Sequence, residues 1–137
     1  MNCFRSATRR NPFQGGVMRK PIPKKIREQV YAKCDGHCAY CGCELAYKDM
    51  QVDHIDPVYW VEIGRNNPNE TIDNYMPSCR ACNFYKSTSS IEQFRDNLQE
   101  GLMRNVRRPF DYRLAVKYGL VKEDIHPIRF YFETLNE

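Results

Sequence analysis

The sequence predicts a small α+β domain folded around a four-cysteine metal staple and flanked by helices. Three observations carry that expectation. Cys38-x-x-Cys41 and Cys79-x-x-Cys82 have the spacing of a four-thiolate site. Between them, Gln51 to Ile55 reads as a short strand, ended by the bend at Asp56-Pro57. On either side, apolar residues recur at helical spacing, before Cys34 and after Ser89.

The first helix is expected from Pro23, which suits a first helical turn, to about Cys34. Ile26 and Val30 lie on its apolar stripe, and Asp35-Gly36 stops it. A tight turn follows over Cys38-Ala39-Tyr40-Cys41-Gly42-Cys43, then the strand from Gln51 to Ile55. Asp56-Pro57 bends the chain, and Asn66-Asn67-Pro68-Asn69 marks a loop. A second cysteine turn, Cys79 to Cys82, opens a short helix from about Arg80 that carries Asn83 and Lys86. Ser89-Ser90-Ile91-Glu92 has capping-box spacing and predicts a helix to about Met103, with Gly101 weakening its last turns. Beyond Pro109 the pattern gives a helix from Asp111 to Tyr118, ended by Gly119, and a strand over Ile128 to Phe132. Three regions are expected: a basic arm, residues 1–20; a central domain, residues 21–108; and a C-terminal extension, residues 109–137.

The two cysteine pairs are expected to hold a structural zinc ion. Ordering each residue costs about 1–2 kcal/mol of backbone entropy, and a core this small roughly balances that cost. A structural zinc adds about 10–16 kcal/mol of apparent binding free energy. The odd total of seven cysteines also argues against a fully paired disulfide framework. Cys34 reads as a buried helix residue, and Cys43 would shape a poorer turn than Cys41. Cys3 has no evident partner, His37 is a turn residue, and His126 is read as surface or packing.

Charge points to a polyanionic partner. The net charge is only +4, but there is no acidic residue from Met1 to Arg27, against eight basic ones. A solvated, disordered tail is the competing reading of that block. No apolar run is long enough to span a membrane. The N-terminus lacks the apolar core of a secretory signal, so a cytoplasmic or phage-encoded intracellular protein is expected. Its Arg-rich, acid-free character is also that of an organellar transit peptide.

Val52-Asp53-His54-Ile55-Asp56-Pro57 is the chemical centre. Asp53 offers a carboxylate to a hard divalent ion, and His54 an imidazole that exchanges protons near neutral pH. On an extended segment the two side chains point to opposite faces, so a bend is needed to bring them to one reaction centre.

Taken together, Cys38-x-x-Cys41, Val52-Asp53-His54-Ile55-Asp56-Pro57, Asp73-Asn74 and Cys79-Arg80-Ala81-Cys82-Asn83-Phe84-Tyr85-Lys86 resemble the HNH endonuclease family. The resemblance covers about Tyr31 to Lys86 and implies a ββα-metal, or His-Me finger, core. It implies that His54 is the general base, that Asn74 braces the loop bearing it, and that Asp53 and Asn83 hold the catalytic ion. Asn83 stands where the family often has His. An amide oxygen binds soft metals less well than imidazole, which favours Mg²⁺ or Mn²⁺ there. The loop from Val58 to Asn69, with Tyr59, Trp60 and Arg65, is longer than in many relatives. The implied activity is hydrolysis of DNA phosphodiesters to 5′-phosphate and 3′-hydroxyl ends, with double-stranded DNA as partner. Lys86, Arg104, Arg107 and Arg108 are the candidate phosphate contacts. Two alternatives stay open: a zinc-stapled nucleic-acid-binding module without catalysis, and a component of a larger phage or restriction assembly. A homodimer is also open.

Overall fold

The structure, a computed structural model, describes residues 21–57 and 71–137. The basic arm and the loop with Tyr59, Trp60 and Arg65 lie outside the described residues. So does Cys3.

Helix α1 spans Lys24–Ala32 behind Pro23. It is shorter than its pattern suggests, because the chain turns at Lys33 and reverses through Asp35 and Gly36, both at positive φ. Cys34 sits in that turn, buried as a small apolar residue. A Cβ on Gly36 would lie 3.0 Å from the Tyr31 hydroxyl, so both its φ and its neighbour require glycine. That hydroxyl donates to the Leu45 carbonyl at 2.7 Å and ties α1 to the segment after the first cysteine turn.

Strands β1 (Gln51–His54) and β2 (Tyr75–Ser78) pair antiparallel, with Asp53 opposite Met76 and His54 opposite Tyr75. The sequence pattern did not mark β2 as a strand, though the family resemblance implies one. Side chains alternate across this ribbon. Val52 and Tyr75 belong with Val30, Leu45 and Met50 in one apolar cluster beside α1. Met76, on the other face, belongs with Cys38, Tyr40, Phe94 and Phe130 in a second. Helix α2 (Arg80–Lys86) follows β2 directly, giving the order β1, β2, α2.

Helix α3 (Ile91–Asp96) begins with a capping box one residue later than its spacing suggested. Ser90, not Ser89, is the cap: its hydroxyl accepts the Gln93 N–H at 3.2 Å, and Gln93 returns to the Ser90 N–H at 3.0 Å. The chain continues through π-helical turns over Asn97–Leu102, which include Gly101, into α4 (Met103–Val106). Helix α5 (Phe110–Lys117) ends with Gly119 at φ 71°. The Gly119 and Leu120 N–H groups there close back on Val116 and Ala115.

The strand expected over Ile128 to Phe132 is instead a capped turn of helix, α6 (Tyr131–Thr134). Its alternation is real, but its backbone finds a different partner. The Tyr131 and Phe132 N–H groups donate to the Tyr40 and Ala39 carbonyls of the first cysteine turn, at 3.0 and 2.8 Å. Phe130 is 1% exposed, stacked on Phe94 at 5.2 Å and edge-on to Tyr40 at 5.4 Å. The chain after Pro109 therefore supplies part of the domain's core.

An ion pair holds this last segment. Arg95 reaches the Ile128 carbonyl at 2.7 Å and pairs with Glu133. The Arg95 guanidinium holds the Glu133 carboxyl below its ordinary value, helped by the Phe130 N–H. A lowered pKa in the folded state adds stability that is complete above the ordinary value of 4.5 and is lost as pH falls through the lowered one. Acidification should thus loosen the C-terminal segment. Amide protection over residues 128–134, corrected for the intrinsic pH dependence of exchange, will fall as pH drops below about 4.5, and Glu133→Gln will flatten that fall. An equal loss of protection in the variant would count against the clasp.

Candidate active site and metal centre

The cysteine turns come together as their spacing predicts. The sulfurs of Cys38, Cys41, Cys79 and Cys82 all lie within 4.8 Å of one another. A tetrahedral ion with bonds of 2.3 Å needs sulfurs about 3.8 Å apart, and Cys41 Sγ sits 3.9 Å from Cys79 Sγ. The four cysteines therefore fit a metal ion such as zinc. Cys43 stays outside the group and is exposed.

Backbone geometry builds the pocket. The Cys38 N–H donates to the Cys43 carbonyl at 2.9 Å, and the Ala39 N–H to the Pro77 carbonyl at 2.8 Å, locking the first turn to β2. The Cys79 N–H points at Cys38 Sγ at 3.3 Å. The sulfurs are electrostatically linked. The Cys82 thiol holds Cys38 down to about 4 against its burial. Cys82 is pushed up by its bond to Cys38 and by burial, and Cys79 by burial. Four sulfurs this close can all ionise only around a cation.

His37 is a turn residue, with Nδ1 2.8 Å from the Asp35 carbonyl and its ring 5.3 Å from Tyr131. His126 is exposed beside Asp124.

Asp53 points to the face of β1 that looks at α2, and it is 4% exposed. Two groups meet its Oδ2: the Tyr40 hydroxyl, which donates to it, and the Lys86 ammonium at 3.1 Å. Burial pushes the Asp53 carboxyl up, while Lys86 and then Tyr40 pull it down. Burial likewise raises the Tyr40 hydroxyl, so it remains a donor.

Gln51 shares that face two residues earlier. Its Oε1 accepts from Asn83 Nδ2 at 2.6 Å. The i, i+3 pair Asn83 and Lys86 on α2 thus meets the i, i+2 pair Gln51 and Asp53 on β1. This places the Asp53 and Asn83 side chains on facing surfaces of one two-layer contact.

His54 is the last residue of β1 and is half-buried, its ring edge-on to Tyr75 at 5.1 Å. The bend begins directly after it. There the Asn74 side chain accepts the Asp56 N–H at 2.8 Å and donates to the Asp56 carbonyl at 3.0 Å. The Asn74 carbonyl takes the Ile55 N–H at 2.9 Å.

Lys86 does not sit where a phosphate contact needs it. It is 0% exposed, and its ammonium is bonded to Asp53 and, at 2.9 Å, to the His54 carbonyl. A four-carbon alkyl chain would suit solvent at the end of a short helix, but a buried carboxylate opposite it draws the charge inward. Arg104, Arg107 and Arg108 are exposed on and just after α4. Arg107 is already bidentate to Glu123 at 2.8 and 2.9 Å. Arg104 and Arg107 line an open hollow of about 540 Å³ with Gln99, Glu100 and Ile125, and no residue of the Asp53 cluster lines it.

Tyr40 and Gln51 are the site residues that motif reading misses. Strand alternation back from Asp53 would have found Gln51. Tyr40 carries no such signal beyond its place inside a Cys-x-x-Cys turn.

Residues 38–89 match the family model described as HNH endonuclease. No curated protein matches the chain. Among solved structures, the type II-C Cas9 enzyme from Actinomyces naeslundii is similar over 68% of this chain and 10% of that one, at 21% identity and a TM-score of 0.44. This chain is thus a small fraction of that enzyme's length.

Proposed function

We propose that the chain, whose residues 38–89 match the HNH endonuclease family model, is a metal-dependent endonuclease that hydrolyses DNA phosphodiesters. The observation that carries this reading is the β1–α2 contact. It sets Asp53 and Asn83 on facing surfaces, one residue from His54 at the strand's end. Both contacts to Asp53 fall on Oδ2, and Asn83 uses its amide nitrogen. Asp53 Oδ1 and Asn83 Oδ1 are the hard oxygen donors that Mg²⁺ or Mn²⁺ would take. Zinc fits the four thiolates instead.

In this reading His54 accepts a proton from a water molecule, and that water attacks phosphorus as the bond to the 3′ oxygen breaks. Asn74 holds the bend after His54 and so orients its ring. The chemistry a divalent ion supplies there, when bound, is stabilisation of charge on the phosphate and on the leaving oxygen. The products are 5′-phosphate and 3′-hydroxyl ends. Arg104, Arg108 and the basic arm bind the phosphate backbone without reading sequence. Arg107 joins them by exchanging Glu123 for a phosphate. A lone site nicks one strand; a double-strand cut takes two sites, as in a homodimer, or two visits.

A plasmid nicking assay with Mg²⁺, Mn²⁺ and a chelator control tests this. His54→Ala will lower the rate by about 10²–10⁴-fold, the range for a positioned base, while DNA binding persists. Metal-dependent nicking by His54→Ala at the wild-type rate would refute the assignment.

One observation favours a second reading, a zinc-stapled nucleic-acid-binding module without catalysis. Lys86 already neutralises Asp53, so that carboxylate is charge-compensated without an ion. Binding with no metal-dependent nicking by the wild type would select it. Activity that emerges only with a partner protein would select a component of a larger assembly.

A further inference from the structure

The first cysteine turn does more than hold its own ion. Tyr40 lies between Cys38 and Cys41, so the geometry that gathers the sulfurs also fixes where its side chain goes. Its ring is 3% exposed, edge-on to Phe94 at 5.3 Å and to Phe130 at 5.4 Å. Its backbone carbonyl is held by the Tyr131 N–H at 3.0 Å. With ring and backbone both fixed, the hydroxyl has one destination, Oδ2 of Asp53. The Lys86 ammonium meets the same oxygen from α2. Two elements therefore converge on one oxygen of the carboxylate and turn the other away from them.

We propose that Tyr40 is a positioning residue for the catalytic ion, making the cysteine staple and the Asp53 ion site one coupled unit. The inference rests on the proposed function only in taking Asp53 as a ligand of that ion. A carboxylate that binds a metal is held in place by its own hydrogen bonds, and losing such a partner weakens metal binding about 10–100-fold. Tyr40 supplies that bond from inside the zinc turn. By linkage, an ion at Asp53 then also steadies the turn.

Tyr40→Phe removes one oxygen and keeps the ring contacts, so the variant retains the core. Mn²⁺ binding to the full-length, zinc-loaded chain is followed by electron paramagnetic resonance of free Mn²⁺. Asp53→Ala, used under conditions where its circular dichroism spectrum is native, identifies the equivalent that belongs to the site. Tyr40→Phe is expected to bind that equivalent about tenfold more weakly, with zinc stoichiometry and the circular dichroism spectrum unchanged. Equal affinity in wild type and Tyr40→Phe overturns the positioning role and leaves the nuclease reading intact. No Asp53-dependent Mn²⁺ in the wild type overturns both, and nicking that persists in that case would show a hydrolase with a different ion site. A lowered affinity that tracks lost zinc or a lost native circular dichroism spectrum assigns Tyr40 to the core alone and also overturns the proposal.

Discussion

A protein loaded with zinc at the four-cysteine site is expected to unfold when the ion is stripped from it. The sulfurs of Cys38, Cys41, Cys79 and Cys82 draw together two turns that the sequence separates widely. Cys38 is fully buried within the aromatic cluster, so the site lies inside the core it organises. A structural zinc contributes about 10–16 kcal/mol. That matches or exceeds the whole net stability of an ordinary domain, about 5–15 kcal/mol. Without the ion, four crowded sulfurs would have to stay protonated or repel. A strong chelator, or Cys79→Ser, will abolish the cooperative thermal transition seen by circular dichroism. The zinc released should amount to one equivalent, measured with a chromogenic indicator. A chelated protein that still melts cooperatively near the native temperature would show that apolar packing suffices and that the site is incidental.

Breaking the buried ion pair at Asp53 will have the next largest effect. Lys86 and Asp53 are 0% and 5% exposed at their side chains. Removing one member leaves the other charged and enclosed, which costs about 3–5 kcal/mol. Lys86→Met also removes the ammonium that donates to the His54 carbonyl. The double variant Lys86→Met, Asp53→Asn removes both charges, and Tyr40 can still donate to the amide oxygen. It is expected to regain most of the lost stability in urea denaturation. A double variant no more stable than Lys86→Met alone would place the cost in lost packing rather than in the orphaned carboxylate.

How much could be read from the chain alone depended on the range of the interaction that decides each feature. The cysteine pairs, β1 and the start of α2 are set by local spacing, and the structure follows that spacing closely. The capping box slid by one residue because both Ser89 and Ser90 offer a hydroxyl, and Gln93 rather than Glu92 answered. The segment Ile128 to Phe132 looked like a strand, since alternating aromatic residues suit either a pleat or an aromatic cluster. Only contact with the remote Tyr40 carbonyl decides between them. Lys86 went wrong for the same reason. Its inward turn answers Asp53, a residue on another element, and no local pattern on α2 records that carboxylate. The candidate site divides likewise: Asp53, His54, Asn74 and Asn83 stand out as a motif and Gln51 follows from strand alternation, whereas Tyr40 emerges only once the cysteine turn faces its partner.

Phe130 sits among Tyr40 and Phe94 although it comes near the chain's end. During synthesis, both cysteine pairs and every motif residue leave the ribosome before the ring that seals them. Until Phe130 arrives, the aromatic side of the nascent domain faces water, and nothing from α6 caps the carbonyls of Ala39 and Tyr40. A fragment trimmed to the motif boundary at residue 89 loses Phe94 as well, so its aromatic side stays open permanently: it keeps the motif and discards the lid.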